Sequence, residues 1–107
     1  MASHAADPAH IFAALGDPTR LALVGRLAAD SPQSISRLAD GSPLTRQAIT
    51  KHLRVLENAG VVRSMRSGRE SLFEYRPEPL DAARTYLARV GEQWEDALGR
   101  LKSFVET

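Results

Sequence analysis

Residues 45–59, TRQAITKHLRVLENA, constrain the fold more than any other stretch, because a helix sorts them into two chemically opposite faces. At the helical advance of about 100° per residue, Leu53 falls about 40° to one side of Ile49 and Leu56 about 20° to the other. These three form one apolar ridge. Thr50, Arg54, Gln47 and Lys51 fall between about 100° and 200° from Ile49, on the opposite side. Such a helix lays its ridge on a core and turns cations, an amide and a hydroxyl to solvent. Thr45 suits the N-cap, and Gly60 can take the left-handed conformation that closes the helix near Ala59.

The flanking residues frame this helix. A short helix is predicted over 35–40, capped by Ser34, with Ile35, Leu38 and Ala39 inward, followed by the turn Asp40-Gly41-Ser42-Pro43. Downstream, 61–65 and 71–75 read as paired strands about a turn Arg66-Ser67-Gly68-Arg69, and Pro77 and Pro79 end the hairpin. Upstream, Asp7-Pro8 and Asp17-Pro18 each offer a cap followed by proline at the first helical position. They predict helices over 8–15, with Ile11, Phe12 and Leu15 apolar, and over 18–29, with Leu21, Val24, Leu27 and Ala28 on the buried side. Ser31-Pro32 stops the second of these.

The last predicted helix, 80–106, carries Leu80, Ala83, Leu87, Val90, Trp94, Leu98, Leu101 and Val105 at steps of three and four, close to the coiled-coil period. At 1.5 Å per residue it is roughly 40 Å long, more than a small domain needs for its own core. This points to a subunit interface shared with helix 8–15, made by Ile11, Phe12, Leu15, Leu87, Val90, Trp94, Leu98, Leu101 and Val105. The competing reading folds the helix back on its own chain, and Trp94 could instead line a ligand pocket. The element order gives a mainly α winged helix-turn-helix with a small β-hairpin. It is read as a single domain over 1–107, with the helix-turn-helix at 34–59, the wing at 61–76 and dimerisation helices at 8–15 and 80–106.

The net charge of +1 hides an uneven distribution. Residues 44–69 hold Arg46, Lys51, Arg54, Arg63, Arg66 and Arg69 against Glu57 alone, while 70–107 hold more acids than bases. Positive charge is thus focused on the amphipathic helix and the hairpin tip, as contact with nucleic-acid phosphates requires. Gln47, Thr50 and Arg54 have the chemistry to read base edges in a major groove. Arg46, Lys51, Arg66 and Arg69 suit phosphates, and Thr45, Ser34 and Ser36 can add hydroxyls, though Ser34 serves equally as a cap. A solvated helix face and a solvated hairpin are the alternatives.

Other classes fit poorly. The chain has no cysteine, which removes disulfides, thiolate metal sites and thiol redox chemistry. Its three histidines are scattered and it lacks a glycine-rich phosphate loop, so no enzyme site and no cofactor are expected. No apolar run reaches the length of a membrane span, and MASHAADPAH lacks the pattern of an export signal, which makes the cytoplasm the expected location. A protein-interaction module remains the rival binding function, but such a face would carry apolar anchors. His52 lies at the edge of the ridge, suited to a structural bond near the 35–40 helix or to a phosphate. His4, Asp7 and His10 could gather a metal, giving a metal-responsive repressor as an alternative, although Asp7 is also explained as a cap.

Three motifs carry a resemblance over about 11–105. FAALGDPTRLALVGRLA resembles the second-helix signature of bacterial ArsR-type repressors, LTRQAITKHLRVLENAGVV their recognition helix, and RSGRESLFEY their wing. The resemblance implies a homodimer of winged helices, joined through the first and last helices, that binds double-stranded DNA at an inverted-repeat operator and usually represses. Many of these regulators sense metals through cysteines, or through Asp and His on the terminal helix. This chain has neither cysteine nor a His beside Asp81, Glu92, Glu95 and Asp96. It therefore resembles the metal-free branch, with no bound metal and an unknown inducer.

Overall fold

The computed structural model describes residues 7–106. In chain order the elements are α1 (Pro8–Leu15), α2 (Pro18–Ala29), β1 (Gln33–Ser34), α3 (Ile35–Ala39), α4 (Arg46–Asn58), β2 (Val62–Ser67), β3 (Glu70–Tyr75) and α5 (Glu78–Glu106). The three strands form an antiparallel sheet in the order β1-β3-β2. This is a winged helix-turn-helix, with α3 and α4 as the helix pair and β2–β3 as the wing.

The helix boundaries follow from local chemistry. Asp7 Oδ1 accepts the Ala9 N–H at 3.1 Å and Asp17 Oδ2 accepts the Arg20 N–H at 3.0 Å. Ser34 Oγ and Thr45 Oγ1 cap α3 and α4 in the same way, through the N–H groups of Arg37 and Ala48. Gly60, at φ 80°, ends α4, and the Val61 N–H donates back to the Leu56 carbonyl at 3.0 Å. The chain passes directly from there into the buried pair Val61 and Val62.

The core collects Ile11 from α1, Leu23, Val24 and Leu27 from α2, Leu38 from α3, the Ile49–Leu53–Leu56 ridge of α4, Val61, Val62 and Phe73 from the wing, and Ala83 from α5. The ridge is the one predicted for this helix. Leu21 and Ala28 are not part of the core: both are exposed, Leu21 at 55%. The buried stripe of α2 instead runs through Leu23, Val24 and Leu27, and one turn earlier Arg20 occupies that side. Its guanidinium donates to the last carbonyls of α1, through Nε to Ala14 and through Nη2 to Ala13.

Three further boundaries differ from the sequence reading. Strand β1 was not expected, since two residues between a proline and a helix carry no periodicity. It forms because Gln33 is buried and donates from its side chain to the Asp30 and Arg26 carbonyls, which lays it opposite Phe73. The wing strands extend closer to the tip than predicted, to the pair Ser67–Glu70, leaving Gly68-Arg69 as a two-residue turn. Gly68 has φ 62° and Arg69 has no positive φ, the pattern of a II′ turn, whose twist matches its strands. Helix α5 begins at Glu78 rather than Leu80. Pro79 falls in its first turn, where a missing N–H breaks no helical bond.

Among the described residues, the first part of α5, to the half-buried Val90, packs on the rest of the protomer. Leu80 and Ala83 are covered, and Phe12 and Tyr86 stack at a tilt with ring centroids 6.3 Å apart. Beyond them Leu87, Trp94, Leu98, Leu101, Phe104 and Val105 are exposed, Trp94 at 64% and Leu98 at 58%. No helix among the described residues is long and apolar enough to cross a membrane.

Two expected outcomes test this account. Leu53→Ala, which opens a void at the centre of the ridge, costs about 2–5 kcal/mol in urea unfolding, and a loss below about 1 kcal/mol contradicts the packing described. The second concerns Asp17. The Arg20 backbone N–H holds its carboxyl below the ordinary aspartate value of 3.8, against partial burial, which raises it, and the charges of Arg20 and His52 lower it further. A depressed folded value contributes stability that is complete above 3.8 and lost as pH falls through the folded value. Asp17→Asn therefore loses stability at pH 7 and flattens the fall below about pH 4. Parallel stability–pH curves for variant and parent overturn this assignment.

Candidate nucleic-acid interface

The presentation of α4 begins with how α3 and α4 are fixed. Arg26 of α2 donates from Nη1 to the Leu38 carbonyl at 2.7 Å and from Nη2 to the Arg37 carbonyl at 3.2 Å, so it closes the C-terminus of α3. Gly41, at φ 76°, turns the chain, and the Ser42 hydroxyl accepts the Leu44 N–H. Thr45 then starts α4. At the far end, Glu57 accepts from the N–H and hydroxyl of Ser64, tying α4 to the first wing strand.

With its ridge buried, α4 leaves Thr45, Arg46, Gln47, Lys51 and Arg54 exposed and Thr50 half-buried. The electrostatics of this face depend on which cations lack partners. Elsewhere in the chain Arg37 pairs with Asp30, Arg76 with Glu78 and Arg84 with Asp81. Arg63 pairs with Glu74 across the wing, so it does not add to the free positive charge counted for this segment from sequence. Among the described residues, Arg46, Lys51, Arg54, Arg66 and Arg69 have no carboxylate partner. Five cations kept unpaired on one helix and its neighbouring hairpin tip make a surface suited to phosphate oxygens.

A cleft lined by Ile35, Ser36, Arg46, Thr50, Arg69, Glu70 and Ser71 joins α3, α4 and the wing. It brings Ser36, Arg46, Thr50 and Arg69 together. A neighbouring shallow groove is lined by Arg46, Gln47, Thr50 and Lys51. Arg54 and Arg66 lie outside both clefts, and Ser34 lines a third recess with Ser36, Arg37 and Arg46. Ser71 and Arg37 were missed in the sequence. Ser71 stands opposite Arg66 in the wing register, a pairing visible only once the turn is known to be two residues long.

Individual side chains refine the reading. The Thr50 hydroxyl donates to the Arg46 carbonyl at 2.8 Å, so it meets a ligand with acceptor lone pairs and a methyl group. The Ser34 and Thr45 oxygens accept their cap bonds and keep their hydroxyl protons available. His52 has a structural setting, but beside α2 rather than α3: its Nδ1 lies 3.3 Å from Arg20 Nη1 and 3.9 Å from Asp17 Oδ2. His10 Nε2 meets the Asn58 carbonyl at 3.2 Å, and Asp7 is the α1 cap. His4 lies outside the described residues. Among those described, no group of three or more His, Asp or Glu could hold a metal ion. On the other side of the protomer, Ile11 has no surface to offer a partner, because it is fully buried in its own core. Phe12, Leu15 and Val90 are half-covered, and Leu87, Trp94, Leu98, Leu101 and Val105 are open.

Comparison with known proteins agrees with this geometry. The model of the helix-turn-helix domain family matches residues 15–64. The chain is 37% identical over 92 residues to the HTH-type transcriptional regulator Rv2034 of Mycobacterium tuberculosis, covering 86% of this chain and 82% of that protein. It is 34% identical over 88 residues to the HTH-type transcriptional repressor SmtB of the same species, covering 82% of this chain and 63% of that one. In three dimensions it is similar to an ArsR-like transcriptional regulator from Rhodococcus sp. RHA1, with a TM-score of 0.81 and 37% identity over 92% of each chain. A buried ridge, an uncovered cationic reader face and this kinship together place the chain in the ArsR-like family of helix-turn-helix transcriptional regulators, DNA-binding proteins and not enzymes.

Proposed function

We propose that the protein is a homodimeric repressor of the cytoplasm that sets two copies of α4 into successive major grooves of an inverted-repeat operator. The observation that carries the reading is the face of α4 itself: Arg46, Gln47, Lys51 and Arg54 exposed, with no carboxylate partner for the cations. Gln47, Thr50 and Arg54 read bases. Arg46 and Lys51 hold phosphates, as do Arg66 and Arg69 of the wing, with Ser34, Ser36 and Thr45 as hydroxyl donors.

The second copy is supported by the open apolar side chains of α5. Leu87, Trp94, Leu98, Leu101 and Val105 are a contiguous helical stripe too large to leave in water without a partner. Phe12 and Leu15 border the start of that stripe. Two-fold pairing places half-site centres about one helical turn, 34–36 Å, or a multiple of it apart. Repression is the activity named for the SmtB relative, and a dimer seated across a promoter blocks polymerase by occupancy alone.

Two measurements test the reading. In fluorescence anisotropy on a duplex selected from random-sequence DNA, Arg54→Ala costs about 1–3 kcal/mol and relaxes specificity at one position, whereas Lys51→Ala weakens all DNA alike and lowers the salt slope by about one. Equal losses on selected and scrambled DNA for both variants overturn the division of roles. In sedimentation equilibrium, Leu98→Glu gives a folded monomer that binds a half-site weakly; a variant that stays dimeric removes the α5 stripe as the interface.

A further inference from the structure

The reader helix is tied to the dimer-side layer by polar contacts that neither face DNA nor belong to the apolar core. Arg20 is the centre of one such tie. Its backbone begins α2 under the Asp17 cap. Its guanidinium then spans three elements, donating to the Ala14 and Ala13 carbonyls at the end of α1 and approaching Nδ1 of His52 on α4 at 3.3 Å. A guanidinium has five N–H donors in a rigid fork and no acceptor. In this contact the His52 ring is therefore the acceptor, through the Nδ1 lone pair. Asp17 Oδ2 lies 3.9 Å from Nδ1, and its carboxylate balances the charge of the Arg20 guanidinium.

A second contact joins the same two helices further along. His10 of α1 meets the Asn58 carbonyl at the C-terminus of α4 at 3.2 Å. Two points of attachment along α4, one at His52 and one at Asn58, fix both its tilt and its axial position relative to α1. The apolar ridge alone cannot do this, because hydrophobic contact is non-directional and tolerates sliding. Helix α1 in turn packs on α5 through Phe12 and Tyr86.

We propose that Arg20 and His52 are positioning residues for DNA recognition: the Arg20 fork locks the pitch of α4 to the end of α1, and so to the layer that joins the two copies. Bases are read by side chains that must arrive within a fraction of an ångström, so a reader helix free to rock loses specific affinity while its phosphate contacts survive. The proposal rests on α4 being the element that enters the groove.

The test uses the full chain and a duplex selected from random-sequence DNA by the parent protein, beside a scrambled duplex. Arg20→Met removes the fork and keeps the alkyl stem. His52→Leu removes the acceptor and keeps the volume. His52→Asn keeps an oxygen where Nδ1 stood. Both removals lose roughly tenfold in affinity for the selected duplex, a size typical of indirect coupling, and little on scrambled DNA. Their salt slopes stay at the parent value. The double variant Arg20→Met/His52→Leu loses no more than either single one, since both break one tie. His52→Asn recovers most of the loss.

Thermal unfolding and sedimentation of each variant confirm that the proteins compared are folded and equally assembled; if Arg20→Met does not fold, the His52 pair carries the test. Folded removal variants that bind as the parent does overturn the proposal, and so does a His52→Asn variant as weak as His52→Leu. A salt slope lowered by about one in His52→Leu makes the ring a phosphate contact instead. Arg54→Ala and Gln47→Ala run alongside. If these leave selected binding unchanged, α4 is not the reader, and that failure is distinct from a failure of the tie.

Discussion

The burial of Ile49, Leu53 and Leu56 is the constraint on which the rest of the molecule depends. A helix cannot rotate about its axis once three large side chains on one side are enclosed. Fixing that rotation decides what the other side shows: Gln47, Lys51 and Arg54 point to water because the ridge points to the core. The ridge is also shared property. It touches a core built from both helices before it, from α3 and from the wing, so each of those elements is positioned by the helix it positions. Losing the ridge would therefore unfold the protein and erase the reader face together.

Directional contacts then set what apolar packing leaves free. Arg26 closes α3 through the Leu38 and Arg37 carbonyls, Glu57 attaches α4 to Ser64 of the wing, and Arg20 joins α1, α2 and α4. Each of these uses a charged side chain on backbone or polar partners inside the protomer. The cations of the reader face and wing tip do not. The division has an electrostatic reason: a cation already satisfied by a carboxylate, like Arg63 on Glu74, offers little to a phosphate. The sequence contains many arginines, and the fold uses some in architecture and leaves Arg46, Arg54, Arg66 and Arg69 without a carboxylate partner among the described residues.

A third layer lies at the end of the chain. Among the described residues, the apolar side chains of α5 at Leu87, Trp94, Leu98, Leu101 and Val105 are exposed, in a molecule 68 Å along its longest axis. In the homodimer proposed above, a long helix joined to a second copy would be a stiff way to hold two reader helices at a fixed separation. The path from that layer to the exposed face of α4 runs through α1, which packs on α5 by Phe12 and Tyr86 and is bonded to α4 through His10 and Arg20.

The sequence by itself determined the helices, their caps and the two faces of α4, because these depend on local periodicity and on side chains that bond to their own backbone. Asp7, Asp17, Ser34 and Thr45 all cap as their positions predict. The exposure of Arg46, Gln47, Lys51 and Arg54 was legible for the same reason. What depends on contacts between different elements was not legible. Only the tertiary structure decided that Leu21 is exposed while Arg20 takes the covered side of α2, that Gln33 makes a third strand, that Arg63 is neutralised by Glu74, and that Ile11 belongs to the protomer core. The partners in these cases lie on other elements, and no pattern within one helix or strand can encode which charge will find which carbonyl. His52 shows the limit well: its place on α4 follows from the 3.6-residue period, but its partner, thirty-two residues earlier, is set by the packing of α2 on α4.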